Sequence, residues 1–220
     1  MLSSRELGFA GARRRLAERL AASGIRDRRV LEAFHAVPRH LLVPEALRSH
    51  AYRDEAVPIG DGQTISAPQV VALMTEALAL TGAESVLEVG TGSGYQAAIL
   101  SRLAGRVVSI ERVGRLAALA RTSLDRLGVS NVVVHWGDGT LGRPVDAPYD
   151  AIVVTAGGPA VPKPLLEQLA PGGRLVGPFG ARDEQTLLRV RRLASGEYTR
   201  EILARCRFVG LIGAHGWAAA

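Results

Sequence analysis

Three alternating glycines follow an apolar run near the middle of the chain and could form the binding loop of a nucleotide-like ligand. Residues 86–89 read Val-Leu-Glu-Val, typical of a buried parallel strand, and are followed by Gly90, Thr91, Gly92 and then Gly94. Glycine permits a tight turn beneath a ligand, and a helix that follows the turn directs its N-terminal amides at that ligand. Strand-to-helix turns also use glycine for steric reasons alone, so the loop needs support from other residues.

Two acidic residues occur where neighbouring strands are predicted to end. Glu111 closes a predicted strand over residues 106–111 and lies 21 residues after Gly90, a spacing at which an acid can accept hydrogen bonds from both ribose hydroxyls. Asp138 closes a third predicted strand that begins at Asn131, and its carboxylate could accept from the exocyclic amine of adenine. Alone, Asp138 is also typical of an ordinary turn, but its place in a series of acidic sites favours a ligand role.

The loop distinguishes between two classes of cofactor. A dinucleotide fingerprint places its third glycine five residues after the first, where this chain has Tyr95. Glu88, inside the strand before the loop, would repel a pyrophosphate but could attract the ammonium group of a methionine moiety, directly or through water. The residues therefore predict S-adenosyl-L-methionine rather than a nicotinamide dinucleotide.

The composition limits the class of protein. The chain has 220 residues, 47% of them hydrophobic, which is enough for one full core. Its net charge of +6 is spread over both ends rather than focused in one stripe, so a nucleic-acid partner is unsupported. Cys206 is the single cysteine, and the sequence shows no metal-ligand cluster, signal peptide or apolar run of membrane-spanning length. We expect a cytoplasmic, metal-free, monomeric protein that does not bind membranes.

The elements that position these residues alternate between helix and strand. Periodicity and turn signals predict helices over 5–22, 27–36, 67–80, 95–104, 114–127 and 163–170, and strands over 85–90, 106–111, 131–138, 149–155 and 173–179. A hairpin is expected from 186–193 and 202–212, around Ser195-Gly196. The pattern predicts an α/β fold with a doubly wound, mostly parallel Rossmann-like sheet and a C-terminal antiparallel hairpin. We expect one domain over 1–220, with a helical leader and substrate loop over 1–62 and a cofactor-binding core over 63–220.

Several longer stretches match one family in one order. They are Val-Pro-Arg-His-Leu-Leu-Val-Pro (37–44), Ala-Tyr-Arg-Asp (51–54), Pro-Ile-Gly (58–60), Gly-Gln-Thr-Ile-Ser-Ala-Pro (62–68) and Val-Leu-Glu-Val-Gly-Thr-Gly-Ser-Gly-Tyr (86–95). Together they resemble the protein-L-isoaspartate O-methyltransferase family, and stretches 148–152, 169–174 and 208–211 extend the resemblance to about residues 30–212. The resemblance implies the class I fold of methyltransferases that use S-adenosylmethionine. Gly210 departs from it, because the family usually has proline after Phe-Val.

The resemblance also implies which residues act. Ser66 is implied as the active-site serine, and the residues implied to contact the cofactor are Ala67, Pro68, Gln69, Val70, Glu111, Arg112, Asp138 and Gly139. From the residues alone, Ser66 also reads as the N-cap of the following helix, with Ser-Ala-Pro-Gln as a capping box. The two roles are compatible, because a helix N-terminus attracts a carboxylate.

The implied reaction is methylation of the free α-carboxyl of L-isoaspartyl residues in proteins and peptides, which starts repair through a succinimide. A carboxyl group with a pKa near ~4 is ionised at neutral pH and needs no general base, which agrees with histidines scattered without partners at motif spacing. We expect its peptide substrate in a shallow cleft between the 37–62 loop, Ser66 and a strand over 208–215. Two alternatives stay open: another class I methyltransferase acting on RNA or a small molecule, and a non-catalytic regulator that binds S-adenosylmethionine.

Overall fold

A seven-stranded sheet forms the centre of the computed structural model, which describes residues 4–218. The helices are α1 (Ser4–Ala22), α2 (Arg28–Ala36), α3 (Pro68–Ala77), α4 (Tyr95–Leu100), α5 (Gly114–Arg126) and α6 (Lys163–Glu167). The strands are β1 (Val57–Gly60), β2 (Gln63–Ile65), β3 (Ser85–Val89), β4 (Arg106–Glu111), β5 (Val132–Trp136), β6 (Tyr149–Val154), β7 (Leu169–Gly180), β8 (Gln185–Arg192) and β9 (Tyr198–Cys206).

The order of the strands in the sheet creates a binding crevice. The order is β5-β4-β3-β6-β7-β8-β9; the first five are parallel, whereas β8 and β9 are antiparallel to their neighbours. After β5 the chain returns to the other side of β3, so the loops after β3 and β6 diverge at their carboxyl ends. The mostly parallel α/β fold with a C-terminal antiparallel hairpin, predicted from the sequence, is confirmed.

Both faces of the sheet are covered, which explains the continuous apolar runs of its central strands. Val86 of β3 belongs to one buried cluster with Phe34 of α2, whereas the next residue, Leu87, belongs to a second buried cluster with Leu165 of α6. Successive strand residues point to opposite faces, so β3 must be apolar on both. Among residues 4–218, no helix has the length and apolar character needed to cross a membrane.

The proline-rich stretch 37–62 contains more regular structure than the irregular loop expected from the sequence. It contains two short 3₁₀ helices, Arg39–Leu41 and Glu45–His50, and β1 pairs with β2 in an antiparallel hairpin. Asp61 and Gly62 form the turn with positive φ angles of 51° and 67°. An Asp-Gly pair is typical of such two-residue hairpin turns, so it could have predicted this hairpin. This hairpin spans the expected boundary between residues 62 and 63.

The second half of the chain corrects two predicted boundaries. Helix α6 ends at Glu167, and β7 begins at Leu169 because Leu169 already pairs with Tyr149 of β6. The second hairpin strand is β9 at 198–206 rather than 202–212. Its pairing ends where the side chain of Gln185 accepts a hydrogen bond from Phe208 N at 2.8 Å and the chain turns towards the crevice. Residues 208–215 are therefore a separate segment and not part of the hairpin.

A carboxylate organises the turn that leads into β3. Glu84 accepts hydrogen bonds from the N–H of Thr81 at 2.7 Å, from the Thr81 hydroxyl at 2.8 Å and from the N–H of Gly82 at 2.8 Å. Burial opposes ionisation, but the hydrogen bonds from Gly82 and Thr81 outweigh it and hold the pKa of Glu84 at about 2, below its ordinary 4.5. The ionised form of Glu84 therefore stabilises the folded state.

We expect the Glu84→Gln variant to be less stable at neutral pH and less sensitive to acid. Because the folded-state pKa of Glu84 lies below the unfolded value, its contribution is complete above pH 4.5 and is lost as the pH falls towards about 2. Thermal melts followed by circular dichroism between about pH 6 and pH 3 would measure this. An equal drop in melting temperature for both proteins would contradict the assignment.

Candidate active site

The glycine loop lies at the carboxyl end of β3 and forms the floor of a cleft. Gly90 has a φ of 100°, and a Cβ there would collide with the Thr155 hydroxyl, which donates hydrogen bonds to the carbonyls of Val89 at 3.0 Å and Gly90 at 2.6 Å. Only glycine combines this conformation with so close an approach. Gly90, Thr91 and Gly92 line the cleft, whereas Gly94 is the N-cap residue of α4 and has a φ of 84°.

Glu111 holds the loop in place from the end of β4. Its two carboxylate oxygens accept from the N–H of Gly92 and the N–H of Val113, each at 2.8 Å. A carboxylate has about four acceptor positions, so each oxygen keeps a further lone pair. Glu111 and Arg112 both line the cleft. The carboxylate can therefore hold the loop and still accept hydrogen bonds from a ribose.

Asp138 has internal partners in this structure. Its carboxylate accepts from Thr140 N at 2.8 Å and the Thr140 hydroxyl at 2.7 Å, and from Ala214 N at 2.7 Å. Burial opposes ionisation, but the hydrogen bonds from Thr140 and Ala214 lower its pKa overall. Gly139 lines the cleft, whereas Asp138 lies behind it and anchors the segment after β9. A bond from Asp138 to adenine stays a prediction.

Glu88 lies beneath the loop rather than in the cleft wall. It is fully buried, and desolvation raises the pKa of Glu88 to about 8 although the Ser109 hydroxyl donates to it. Ser109 is in turn hydrogen-bonded to Thr91, so a chain of three side chains connects Glu88 to the loop. Within residues 4–218 one Glu88 oxygen has no hydrogen-bond partner. Its predicted attraction of a ligand ammonium group is not tested by this arrangement.

Ser66 lines the same cleft as the glycine loop, but it does not cap α3. The helix begins at Pro68 with Ala67 as its N-cap, and the N–H of Gln69 donates to Asp54 at 2.8 Å. The capping-box interpretation of Ser66 is therefore wrong, because an acid 15 residues upstream of Gln69 takes the capping position. The hydroxyl of Ser66 is thereby left for another partner.

The first turn of α3 is set back from the cleft. Of the residues described, Ala67, Pro68, Gln69 and Val70 are not in the cleft wall, whereas Val71 and Met74 are. Their predicted contact with a cofactor is not shown by the cleft's shape and stays a prediction. Ser66, which precedes this turn, does line the cleft.

Arg39 is a functional candidate that the sequence reasoning missed. Its guanidinium is fully buried, donates to the carbonyls of Ala51 and Ser66 at 2.7 Å each, and lies 4.7 Å from the centre of the Tyr95 ring. Burial lowers the pKa of Arg39, and the carbonyls and the ring surround the charge with negative potential. Arg39 thus fixes the main chain at Ser66. The Val-Pro-Arg-His sequence at 37–40, part of a stretch that matches the family, could have drawn attention to this residue.

A third wall comes from the segment that follows β9. Val209, Gly210, Leu211 and Ile212 line the same cleft as Ser66 and Glu111. Gly157 pairs with Gly210, and the Trp217 indole donates to the Gly157 carbonyl at 2.9 Å. Ser66 and residues beyond 208 therefore line one cleft, as expected for the substrate, although those residues are not a continuation of β9.

Comparisons with known proteins agree on one family. The model of the protein-L-isoaspartate(D-aspartate) O-methyltransferase family matches residues 12–216. The chain is 53% identical over 212 residues to a protein-L-isoaspartate O-methyltransferase from Geobacter metallireducens, covering 96% of this chain and 98% of that protein.

Solved structures give the same result. A protein-L-isoaspartate O-methyltransferase superposes with a TM-score of 0.84 at 31% identity, covering 93% of this chain and 67% of the other. A Plasmodium falciparum β-aspartate methyltransferase, in complex with S-adenosyl-L-homocysteine, shares the fold with a TM-score of 0.78 at 24% identity, covering 91% and 98%. With a family model matched over most of its length, this chain belongs to the protein-L-isoaspartate O-methyltransferase family.

Proposed function

We propose that this protein transfers a methyl group from S-adenosyl-L-methionine to the free α-carboxyl of L-isoaspartyl residues in damaged proteins and peptides. The observation that carries the proposal is one cleft with two kinds of wall. The glycine loop and Glu111 form the part suited to a nucleoside, and Ser66 lines the same cleft. Membership of the family supports the substrate class, and relatives of similar length carry the same activity in their names.

The residues of the cleft fit S-adenosylmethionine. The carboxylate of Glu111 offers hydrogen-bond acceptors to a ribose. Gly90 and Gly92 line the cleft with main chain alone, and Gly139 packs so closely against Val89 that a Cβ there would collide with its side chain. When bound, S-adenosylmethionine supplies an electrophilic methyl group on a sulfonium centre. The first-turn residues of α3, together with Glu88, Arg112 and Asp138, complete the set that we propose around it.

The cleft offers positioning rather than proton transfer. Among its described lining residues, Glu111 and Arg112 carry the charges, and no histidine or lysine is present. An isoaspartyl α-carboxyl has a pKa of about 4 and is already ionised at neutral pH, so its oxygen needs no general base. The Ser66 hydroxyl can donate one hydrogen bond to it and set its orientation.

Neutral donors suit this reaction better than a cation beside the carboxylate. Charge disappears as a carboxylate becomes an ester, so a strong ion pair would stabilise the ground state and slow the transfer. The buried cation Arg39 donates instead to the carbonyls of Ala51 and Ser66. Arg39 therefore positions Ser66 through the main chain, and the hydroxyl acts as a neutral donor.

The product explains a repair role. Methoxide leaves more readily than hydroxide, so the neighbouring backbone amide can close a succinimide that reopens partly to normal aspartate. Action in the cytoplasm, as a monomer that does not bind nucleic acid, stays a prediction of the sequence.

The substrate tests the proposed function directly. Incubation with labelled S-adenosylmethionine should methylate a synthetic isoaspartyl peptide and not its aspartyl isomer, because the extra main-chain methylene moves the carboxyl by about a bond length and such a shift can cost ~10²-fold in rate. The readout is base-labile methyl ester. Equal labelling of both isomers, or label found only in RNA, would overturn the assignment.

The Ser66→Ala variant should lose catalysis without losing stability. Removing one donor to a charged carboxylate should lower kcat/KM for an isoaspartyl peptide by roughly 10–100-fold. The melting temperature should change little because Asp54, not Ser66, caps α3, and the main-chain bond to Arg39 remains. Calorimetry should find an unchanged Kd for the cofactor. Full turnover in this variant would remove Ser66 from the mechanism.

The Glu111→Ala variant should weaken binding of S-adenosylmethionine by roughly 2–3 kcal/mol, because two ribose hydroxyls lose a charged acceptor and the Gly92 N–H loses its partner. Titration calorimetry measures the Kd. The Glu111→Gln variant keeps one carbonyl acceptor, so its Kd should lie between those of the wild type and the alanine variant. An unchanged Kd in the alanine variant is incompatible with the proposed role. Tight binding of a nicotinamide dinucleotide by the wild type would refute the cofactor class.

A further inference from the structure

The β1–β2 hairpin is a separate unit with a buried base and an exposed tip. It forms a two-stranded sheet of its own, apart from the seven-stranded sheet. At the base, Val57 pairs with Ile65, and both side chains are buried in the core. At the tip, Gly60, Asp61 and Gly62 are exposed. A two-stranded hairpin is only marginally stable by itself, so its position depends on what it contacts.

One ion pair holds the tip of the hairpin. The Nε and Nη2 atoms of Arg115, in the first turn of α5, lie 2.9 Å and 2.6 Å from Oδ2 of Asp61. Gly60 lets the guanidinium lie against the main chain, because a Cβ there would collide with Arg115 Nη2. Among the hydrogen bonds and ion pairs of residues 4–218, this pair is the one that joins residues 57–65 to the rest of the chain.

The hairpin contacts both segments that carry residues for the cofactor. Ile59 of β1 lies against the glycine loop, where a Cβ on Gly92 would be 3.4 Å from the Cδ1 of Ile59. Arg115 follows Glu111 by four residues, so the ion pair attaches the tip close to the end of β4. Gln63 of β2 lines the same cleft as the loop and Glu111. The hairpin therefore reaches from the glycine loop to the start of α5, beside the cofactor part of the cleft.

We propose that the β1–β2 hairpin is a cover over the cofactor and that the Asp61–Arg115 ion pair is the latch that keeps it closed. S-adenosylmethionine enters, and the product S-adenosylhomocysteine leaves, when the pair breaks and the tip moves away from α5. Covers of this kind often set the rate of product release. Asp61 lies between the family-matching stretches 58–60 and 62–68, and Arg115 lies outside all of those stretches, so the resemblance does not imply this pair.

The ion pair suits a latch that opens often. The side chains of Asp61 and Arg115 are 36% and 55% exposed, and an ion pair so accessible to water is weak and is screened by salt. Neither residue lines the cleft, so the pair adds no contact to a ligand held there. The pair therefore changes how often the cleft opens rather than how tightly the closed cleft binds. Since it acts on the cofactor, the latch does not depend on which acceptor receives the methyl group.

A double-mutant cycle tests the latch. Asp61→Asn removes the charge and keeps a residue suited to the turn, and Arg115→Gln keeps a good helix former. Each variant should raise both kon and koff for S-adenosylhomocysteine by about twofold to fivefold and leave Kd nearly unchanged, because opening speeds entry and exit alike. The double variant should match the single ones, since each already lacks the pair. Surface plasmon resonance measures the rate constants, and the intact mass confirms the amide of the Asn-Gly variant.

Two control variants separate the latch from other roles. Glu201→Gln breaks the exposed ion pair between Glu201 and Arg189 on β8 and β9, and should leave both rate constants unchanged. Glu111→Ala removes a proposed contact with the ligand and should instead raise Kd. Unchanged kon and koff in the Asp61 and Arg115 variants would overturn the inference, because the pair would then be structural only. A higher Kd at constant kon would also overturn it, because the pair would then act as a binding contact.

Salt provides a second measurement that holds even if a variant does not fold. Raising the ionic strength from about 0.05 M to about 0.5 M screens an exposed ion pair, so kon and koff of the wild type should both rise. In Arg115→Gln the same change should have little effect. Wild-type rate constants that do not respond to salt would overturn the inference. Absence of isoaspartyl methylation would leave these rate constants as they are and would overturn the proposed function alone.

Discussion

The carboxylate of Glu111 accepts the N–H of Gly92 and the N–H of Val113, and these two hydrogen bonds tie the end of β4 to the loop that follows β3. Glu111 is fixed because β4 pairs in parallel with both β3 and β5. A glycine loop without such a tether could adopt many conformations. The remaining geometry of the cleft depends on this constraint, since the loop forms the floor against which Ser66 and residues 209–212 are placed.

The opposite wall depends on a buried charge. Arg39 binds the carbonyls of Ala51 and Ser66 and lies against the ring of Tyr95, which begins the helix after the glycine loop. One guanidinium therefore connects the proline-rich stretch, the serine and the loop. Its burial is tolerated because carbonyl oxygens and the ring face compensate for lost hydration. The two walls of the cleft are thus positioned relative to each other by interactions within the protein.

The periodicity of the sequence predicted the helices and strands of the parallel sheet, but it did not predict contacts between residues that are far apart in the chain. The apolar run at 86–89 and the alternation of helix and strand were sufficient for the parallel sheet, because burial on both faces leaves a continuous apolar signature. The same reasoning could not assign the cap of α3, because Asp54 reaches Gln69 from another loop. It also placed the second hairpin strand too late, since Gln185 ends that pairing through its side chain. The role of Arg39 depends on a burial that no local pattern shows.

In the proposed reaction, the site positions an acceptor that is already ionised. Single-turnover methylation of an isoaspartyl peptide with saturating S-adenosylmethionine, measured from about pH 5.5 to pH 7, tests it directly, because this range lies above the pKa of the acceptor carboxyl at ~4. The range also lies below the pKa of about 8 that burial gives Glu88, so Glu88 stays mostly protonated during the measurement. We predict a nearly constant rate of methyl transfer across this range. A rate that rises about tenfold per pH unit would show that the acceptor must lose a proton to a base, and would contradict the account.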